Sequence, residues 1–147
     1  MTSSGIIPVM MPSTVALAPS GTFSVNDIAG NPTTTAAGAD RTVTYDSTSA
    51  TVTLTQAADQ GDPTKTDAIR FTFSSNEALQ AGSVTASDFE ATNATGVTVT
   101  GSGDTYTVTV TATADGAVRL APSTDFSVLD IAGNARTSAG GTDRSVI

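Results

Sequence analysis

The sequence predicts an all-β fold built from two packed antiparallel sheets, and three observations carry that expectation. Alternation of apolar and hydroxyl residues runs through most of the chain, and no segment shows a sustained helical period. Threonine is abundant, and its branched Cβ favours a pleated backbone while its hydroxyl tolerates a solvent-facing side. The chain also repeats itself: VALAPSGTFSVNDIAGNPTTTAAGADRTVT at Val15–Thr44 returns as VRLAPSTDFSVLDIAGNARTSAGGTDRSVI at Val118–Ile147. Roughly two thirds of the aligned positions are identical at an offset of about 100 residues, the length of one sandwich domain. The chain therefore reads as the tail of one repeat followed by one nearly whole repeat.

The elements follow in order. Ala50–Gln56 (ATVTLTQ) alternates as a strand does. Ala68–Phe73 (AIRFTF) places Ile69, Phe71 and Phe73 on one face and Arg70 and Thr72 on the other, so one strand supplies three large side chains to a core. Ser83–Glu90 (SVTASDFE) carries Thr85, Ser87 and Asp88 beside Phe89 and reads as a short turn that tucks one aromatic under the sandwich edge. Val97–Thr100 and Thr105–Thr111 flank Gly101-Ser102-Gly103-Asp104 and form a hairpin, with Tyr106, Val108 and Val110 on one face. Ala117–Ala121 follows the turn Ala114-Asp115-Gly116, and Arg144–Ile147 is the last strand.

Composition narrows the chemistry. There is no Cys, His or Trp in the 147 residues. Disulfides, thiolate zinc sites and Cys nucleophiles are excluded together, as are the commonest general base and the commonest transition-metal ligand. Six basic against fourteen acidic residues leave a net charge of −8. That charge disfavours phosphate backbones and anionic membrane surfaces, so nucleic acid is not an expected partner. Nothing is long and apolar enough to insert into a membrane. The stretch Met1–Thr14 lacks a basic n-region, and its apolar run Ile6–Met11 is interrupted by Pro8, so it does not read as a signal peptide.

A family resemblance rests on particular residues. The string VTYDSTSATVTLTQAADQGDPTKTDAIRFTFSSNEAL from Val43, then SDFE, TGSGDTYTVTVTATADG and the closing DIAGN block, resembles the bacterial immunoglobulin-like repeats of giant surface adhesins and related secreted fibre proteins. The resemblance covers Val15–Ile147, and its most specific parts are QAADQGDPTKTDAIRF and the two DIAGN copies. Where such repeats commonly carry Ser-Glu-Pro, this chain has Ser75, Asn76, Glu77 and Ala78, so the Glu matches and the Pro does not. The resemblance implies an immunoglobulin-like β-sandwich in a tandem, extracellular or cell-surface stalk, often stiffened by calcium. It divides the chain into an N-terminal segment (1–14), the terminal part of a preceding repeat (15–46) and one sandwich repeat (47–147).

Each DIAGN block has two readings. Gly30 and Gly133 supply positive φ, and Asn31 and Asn134 cap the turn, which makes the block an Asx turn leading to the last strand. Alternatively Asp27 and Asp130 are Ca2+ ligands, with Glu77, Asp59 and Asp62 near the domain end and Asp46 at the junction between repeats as companions. Their spacing matches no EF-hand or nonapeptide calcium motif. Acidic pairs for glycoside hydrolysis exist by number only, with no aromatic-lined cleft, so no enzyme is expected. Lys65, the only lysine, lies in a loop and does not suit an isopeptide crosslink; Asn93-Ala94-Thr95 is a glycosylation pattern that chance supplies in a Thr-rich chain.

The expected function is structural, a subunit or repeat of a bacterial surface fibre, filament or adhesin stalk. Val15, Leu17, Phe23 and Val43 belong to a sandwich whose other strands are not in this chain. Residues 15–46 are thus candidate donor strands for adjacent repeats or other copies, joined head to tail by strand addition. A module that binds carbohydrate or a surface protein through Gln60–Asp67 and Ser83–Asn93 is the alternative.

Overall fold

The computed structural model describes residues 13–36, 38, 41–142 and 144–147. These residues form β-strands and one 3₁₀ turn, with no α-helix among them, and no helix is long and apolar enough to cross a membrane. The chain divides into two compact units, Met1–Thr48 and Ser49–Ile147.

The first unit is small. Strand β1 (Ser13–Ala16) pairs antiparallel with β4 (Thr42–Tyr45), setting Val15 opposite Val43, and between them a hairpin joins β2 (Val25–Asn26) to β3 (Pro32–Thr33). The N-terminal segment falls largely in residues 1–12, outside the described residues, as do residues 37, 39 and 40 of the candidate donor stretch.

The second unit holds the core. Its strands are β5 (Val52–Gln56), β6 (Ala68–Ser75), β7 (Phe89–Thr92), β8 (Ala94–Ser102), β9 (Thr105–Ala112), β10 (Val118–Pro122), β11 (Val128–Leu129), β12 (Ala135–Arg136) and β13 (Ser145–Val146). They make a four-stranded sheet in the order β5-β6-β9-β8, a three-stranded sheet in the order β13-β10-β7, and the small hairpin β11-β12, all with antiparallel pairing. Buried side chains from both larger sheets form one cluster, a β-sandwich-like arrangement.

Period-two patterning explains why these strands sit where they do. Register sets Ile69 against Val110, Phe71 against Val108 and Phe73 against Tyr106, so each inward residue of β6 meets an inward residue of β9. A slip of one residue would turn the whole apolar row to solvent, which is why register is firmly set. Phe73 is the hub, with ring centroids 5.5 Å from Phe89, 6.1 Å from Tyr106 and 6.1 Å from Phe126. Each such buried ring stabilises by about 1.5–3 kcal/mol, with up to about 1 kcal/mol more for each well-angled pair. Burial, and secondarily the Asp104 charge, raise the Tyr106 hydroxyl above the ordinary phenol range.

Two local expectations are refined. The β8–β9 turn is tighter than the sequence suggested: Ser102 pairs with Thr105, leaving Gly103-Asp104 as the turn, with positive φ at Gly103. Ser83–Glu90 is not turn alone. A 3₁₀ turn at Ala86–Asp88 leads into β7, which begins at Phe89 and lies beside β10. The Asp88 carboxylate accepts from Thr85 N (2.7 Å) and Thr85 Oγ1 (2.8 Å), holding that turn so that Phe89 points inward.

β6 spans the sandwich from end to end. Asn76, just beyond it, exchanges hydrogen bonds with Thr51 at one end. At the other end, where Asp67 O accepts from Ala112 N, Ile147 O accepts from Thr64 N and Ile147 N donates to Asp62. The chain thus enters this unit near one end of the sheet and reaches Ile147 near the other, about 23 Å away at strand rise.

Candidate functional site

Each DIAGN block forms the loop of a hairpin, β2–β3 in the first unit and β11–β12 in the second. The two loops carry the same bonds at matching distances. Asp27 N donates to Asn31 O (3.1 Å), while Asn31 N and Nδ2 donate to the Asp27 carboxylate, both at 2.9 Å. Asp130 N donates to Asn134 O (3.2 Å), and Asn134 N and Nδ2 donate to the Asp130 carboxylate at 2.9 and 3.0 Å. Gly30 (φ 90°) and Gly133 (φ 91°) take the left-handed backbone that closes each loop. The block was expected to lead into the last strand; instead it reverses the chain within its own hairpin, because Asp and Asn clamp each other across five residues.

The two loops differ in surroundings. Asp27 is exposed, and the Asn31 side chain and backbone hold its carboxyl below the ordinary carboxylate value. Asp130 is fully buried, and Leu79 bridges to it across the sandwich end. A carboxylate is costly to bury, and the two Asn134 donors are what compensate for its lost water.

Of the six candidate calcium ligands, the second unit brings two together: carboxylate oxygens of Glu77 and Asp130 lie within 4.8 Å of each other. Glu77 sits there because the turn after β6 runs into Leu79, whose N donates to Gly103 O while Gln80 N donates to Leu129 O. Asp59 and Asp62 are elsewhere. Asp59 forms a 2.9 Å ion pair with Arg70, and Asp62 accepts from Ile147 N at the opposite end of the sandwich. Asp27 and Asp46 belong to the first unit, where Asp46 Oδ1 accepts from Thr48 N (3.0 Å) in an Asx turn. The Glu77–Asp130 pair offers oxygens of the kind Ca2+ takes, but two carboxylates fall short of six to eight donors, so carbonyls and water would have to complete the shell.

The two copies of the repeated block share their backbone pairing and differ in burial. Residues of the first copy correspond to those 103 positions later, and the internal bonds are reproduced: Val15 faces Val43 as Val118 faces Val146, and Leu17 N donates to Arg41 O as Leu120 N donates to Arg144 O. Burial is not reproduced. Leu120 is 1 % exposed and Leu17 79 %; Val146 is 1 % exposed and Val43 69 %; Val128 is buried and Val25 is not. The same residues are core in one unit and surface in the other.

Other features are plainer. A cleft of about 310 Å³ near Ile147 is lined by Lys65, Asp67 and Asp115 among others and has no aromatic wall. Lys65 is exposed. Asn93 takes a positive φ (57°) and donates through Nδ2 to Ala114 O and Gly116 O, so its amide is a structural brace for the turn before β10. Asp88 is the positioning residue that the sequence reading placed only in a turn; the Thr-x-x-Asp spacing of Thr85 and Asp88 is the capping signal that marks it. No protein-family model matches the chain, and no curated protein and no solved structure matches it significantly.

Proposed function

We propose that this chain is a load-bearing repeat of an extracellular bacterial surface fibre or adhesin stalk, folded as immunoglobulin-like sandwiches. The observation that supports this most is the layout of the second unit, whose first strand starts near one end of the sheet and whose last strand β13 runs to the other. Domains threaded in this way join in series and set reach without any catalytic centre. The outer faces fit a stalk, since the residues of β8 and β9 that alternate with the core are largely threonines. Pulling the full chain by its ends tests it: Ser49–Ile147 opens in one step and lengthens the chain by about 330 Å. Gradual lengthening without a force peak refutes a mechanical role.

Calcium belongs to the same reading as a stiffener, seated at Glu77 and Asp130. Adding Ca2+ then raises the melting temperature of the chain, a chelator reverses the rise, and Glu77→Gln abolishes it. A melting temperature indifferent to Ca2+ in the unaltered chain removes calcium from the account. The alternative of a loop-borne binding module gains little, because Tyr45 is the one aromatic among the strongly exposed large apolar residues described.

A further inference from the structure

The second unit shows what its own repeated block requires. Val118–Ile147, its back half, does not close a core alone: Leu120, Phe126, Val128 and Val146 are buried together with residues of Ser49–Ala117, the front half. β10 bonds on one side to β13 within the back half and on the other to β7 from the front half, with Leu120 opposite Ala91 and Pro122 opposite Phe89. Asp88 of the front half accepts from Ser123 N through its carbonyl and from Ser127 N through its carboxylate. Gln80 N, also of the front half, donates to Leu129 O.

The first unit has the back half's internal bonds and exposes Val15, Leu17, Val25 and Val43, the counterparts of buried Val118, Leu120, Val128 and Val146, while Phe23, the counterpart of Phe126, is half-buried. We infer that the Val15–Thr44 face is a docking surface for one kind of occupant, a front-half segment like Ser49–Ala117 supplied by a neighbouring repeat. The second unit gives the register. A strand like Phe89–Thr92 lies antiparallel along Ala16–Pro19, and an aspartate like Asp88 receives the backbone N–H groups of Ser20 and Ser24. The second unit argues for this occupant over a second intact copy, since there the same block is covered by a front half, with β7 beside β10 and Asp88 against Ser123 and Ser127. The inference rests on the repeat reading above but not on the extracellular setting, calcium or load.

The test is a chain lengthened by a second copy of Ser49–Ala117 joined directly ahead of Val15, compared with the original by amide hydrogen exchange. Exchange at Leu17 and Val43 slows by about 100-fold or more, towards the rates at Leu120 and Val146. Unchanged exchange at Leu17 and Val43, while Leu120 and Val146 stay protected as the internal reference, overturns the inference. If the lengthened chain does not fold, Ser49–Ala117 is supplied to the original chain as a separate polypeptide; protection at Leu17 supports the inference and its absence overturns it. Concentration-dependent protection of Leu17 in the original chain alone assigns the face to a second intact copy, and also overturns it. The pulling experiment reads only Ser49–Ile147, so the two ideas fail separately.

Discussion

Leu17 and Leu120 are the same residue of the same repeated block with the same backbone bond to an arginine carbonyl, so truncating each isolates what burial contributes. Leu120 lies in β10 between β13 and β7 and is 1 % exposed. Leu120→Ala removes three carbons from a packed site that neighbouring strands hold open, and costs about 3 kcal/mol. For a domain of about 100 residues that lowers the melting temperature by about 15 °C. Leu17 is 79 % exposed. Leu17→Ala removes atoms that water already reaches, and its cost is below about 0.5 kcal/mol. Thermal and urea unfolding of the two variants, followed by circular dichroism, gives both numbers in one buffer. Equal destabilisation by the two substitutions, or an indifferent Leu120→Ala, would falsify the account of the first unit as an uncovered copy of a covered structure.

Three further outcomes follow from named contacts. Asp130→Ala leaves both Asn134 donors without the carboxylate and destabilises Ser49–Ile147 by about 2 kcal/mol in urea unfolding, whereas Asp27→Ala, in an exposed loop, leaves that transition where it was. Asp27 titrates below its ordinary value because Asn31 donates to its charged form, so its contribution to the β2–β3 hairpin is present above the unfolded value and lost as pH falls through the depressed folded value. Carboxyl NMR shifts of Asp27 give that midpoint, and one at or above the value in a free VNDIAGN peptide contradicts the clamp. Gly141 has φ 112°, and a Cβ there would run into the Leu54 carbonyl oxygen, so Gly141→Ala costs about 3 kcal/mol by chemical denaturation; a neutral result means the loop rearranges freely.

The strands with strong alternation were legible in the sequence because their side chains report the pleat directly. Ile69, Phe71 and Phe73, and Tyr106, Val108 and Val110, are buried as their period requires. β7 was not legible: Phe89-Glu90-Ala91-Thr92 has one large apolar residue, and its place in a sheet comes from pairing with β10 rather than from its own pattern. The turn chemistry of DIAGN was readable, since Asp, Gly and Asn at those spacings have few ways to satisfy one another. Its position inside a hairpin was not, because the flanking strands are two residues long and carry no period.

The all-β class, the inward rows of β6 and β9 and the two copies of one block follow from the residues alone, because these depend on local geometry and on identity along the chain. Folding over long sequence distances is what brings Glu77 and Asp130 together while Asp59 and Asp62 are engaged elsewhere. The residues alone also marked Val15, Leu17 and Val43 as lacking covering strands, and the tertiary structure shows the outcome, one copy of the block core and the other surface. Identical side chains acquire opposite burial there, because burial belongs to the strands that cover a residue and not to the residue itself.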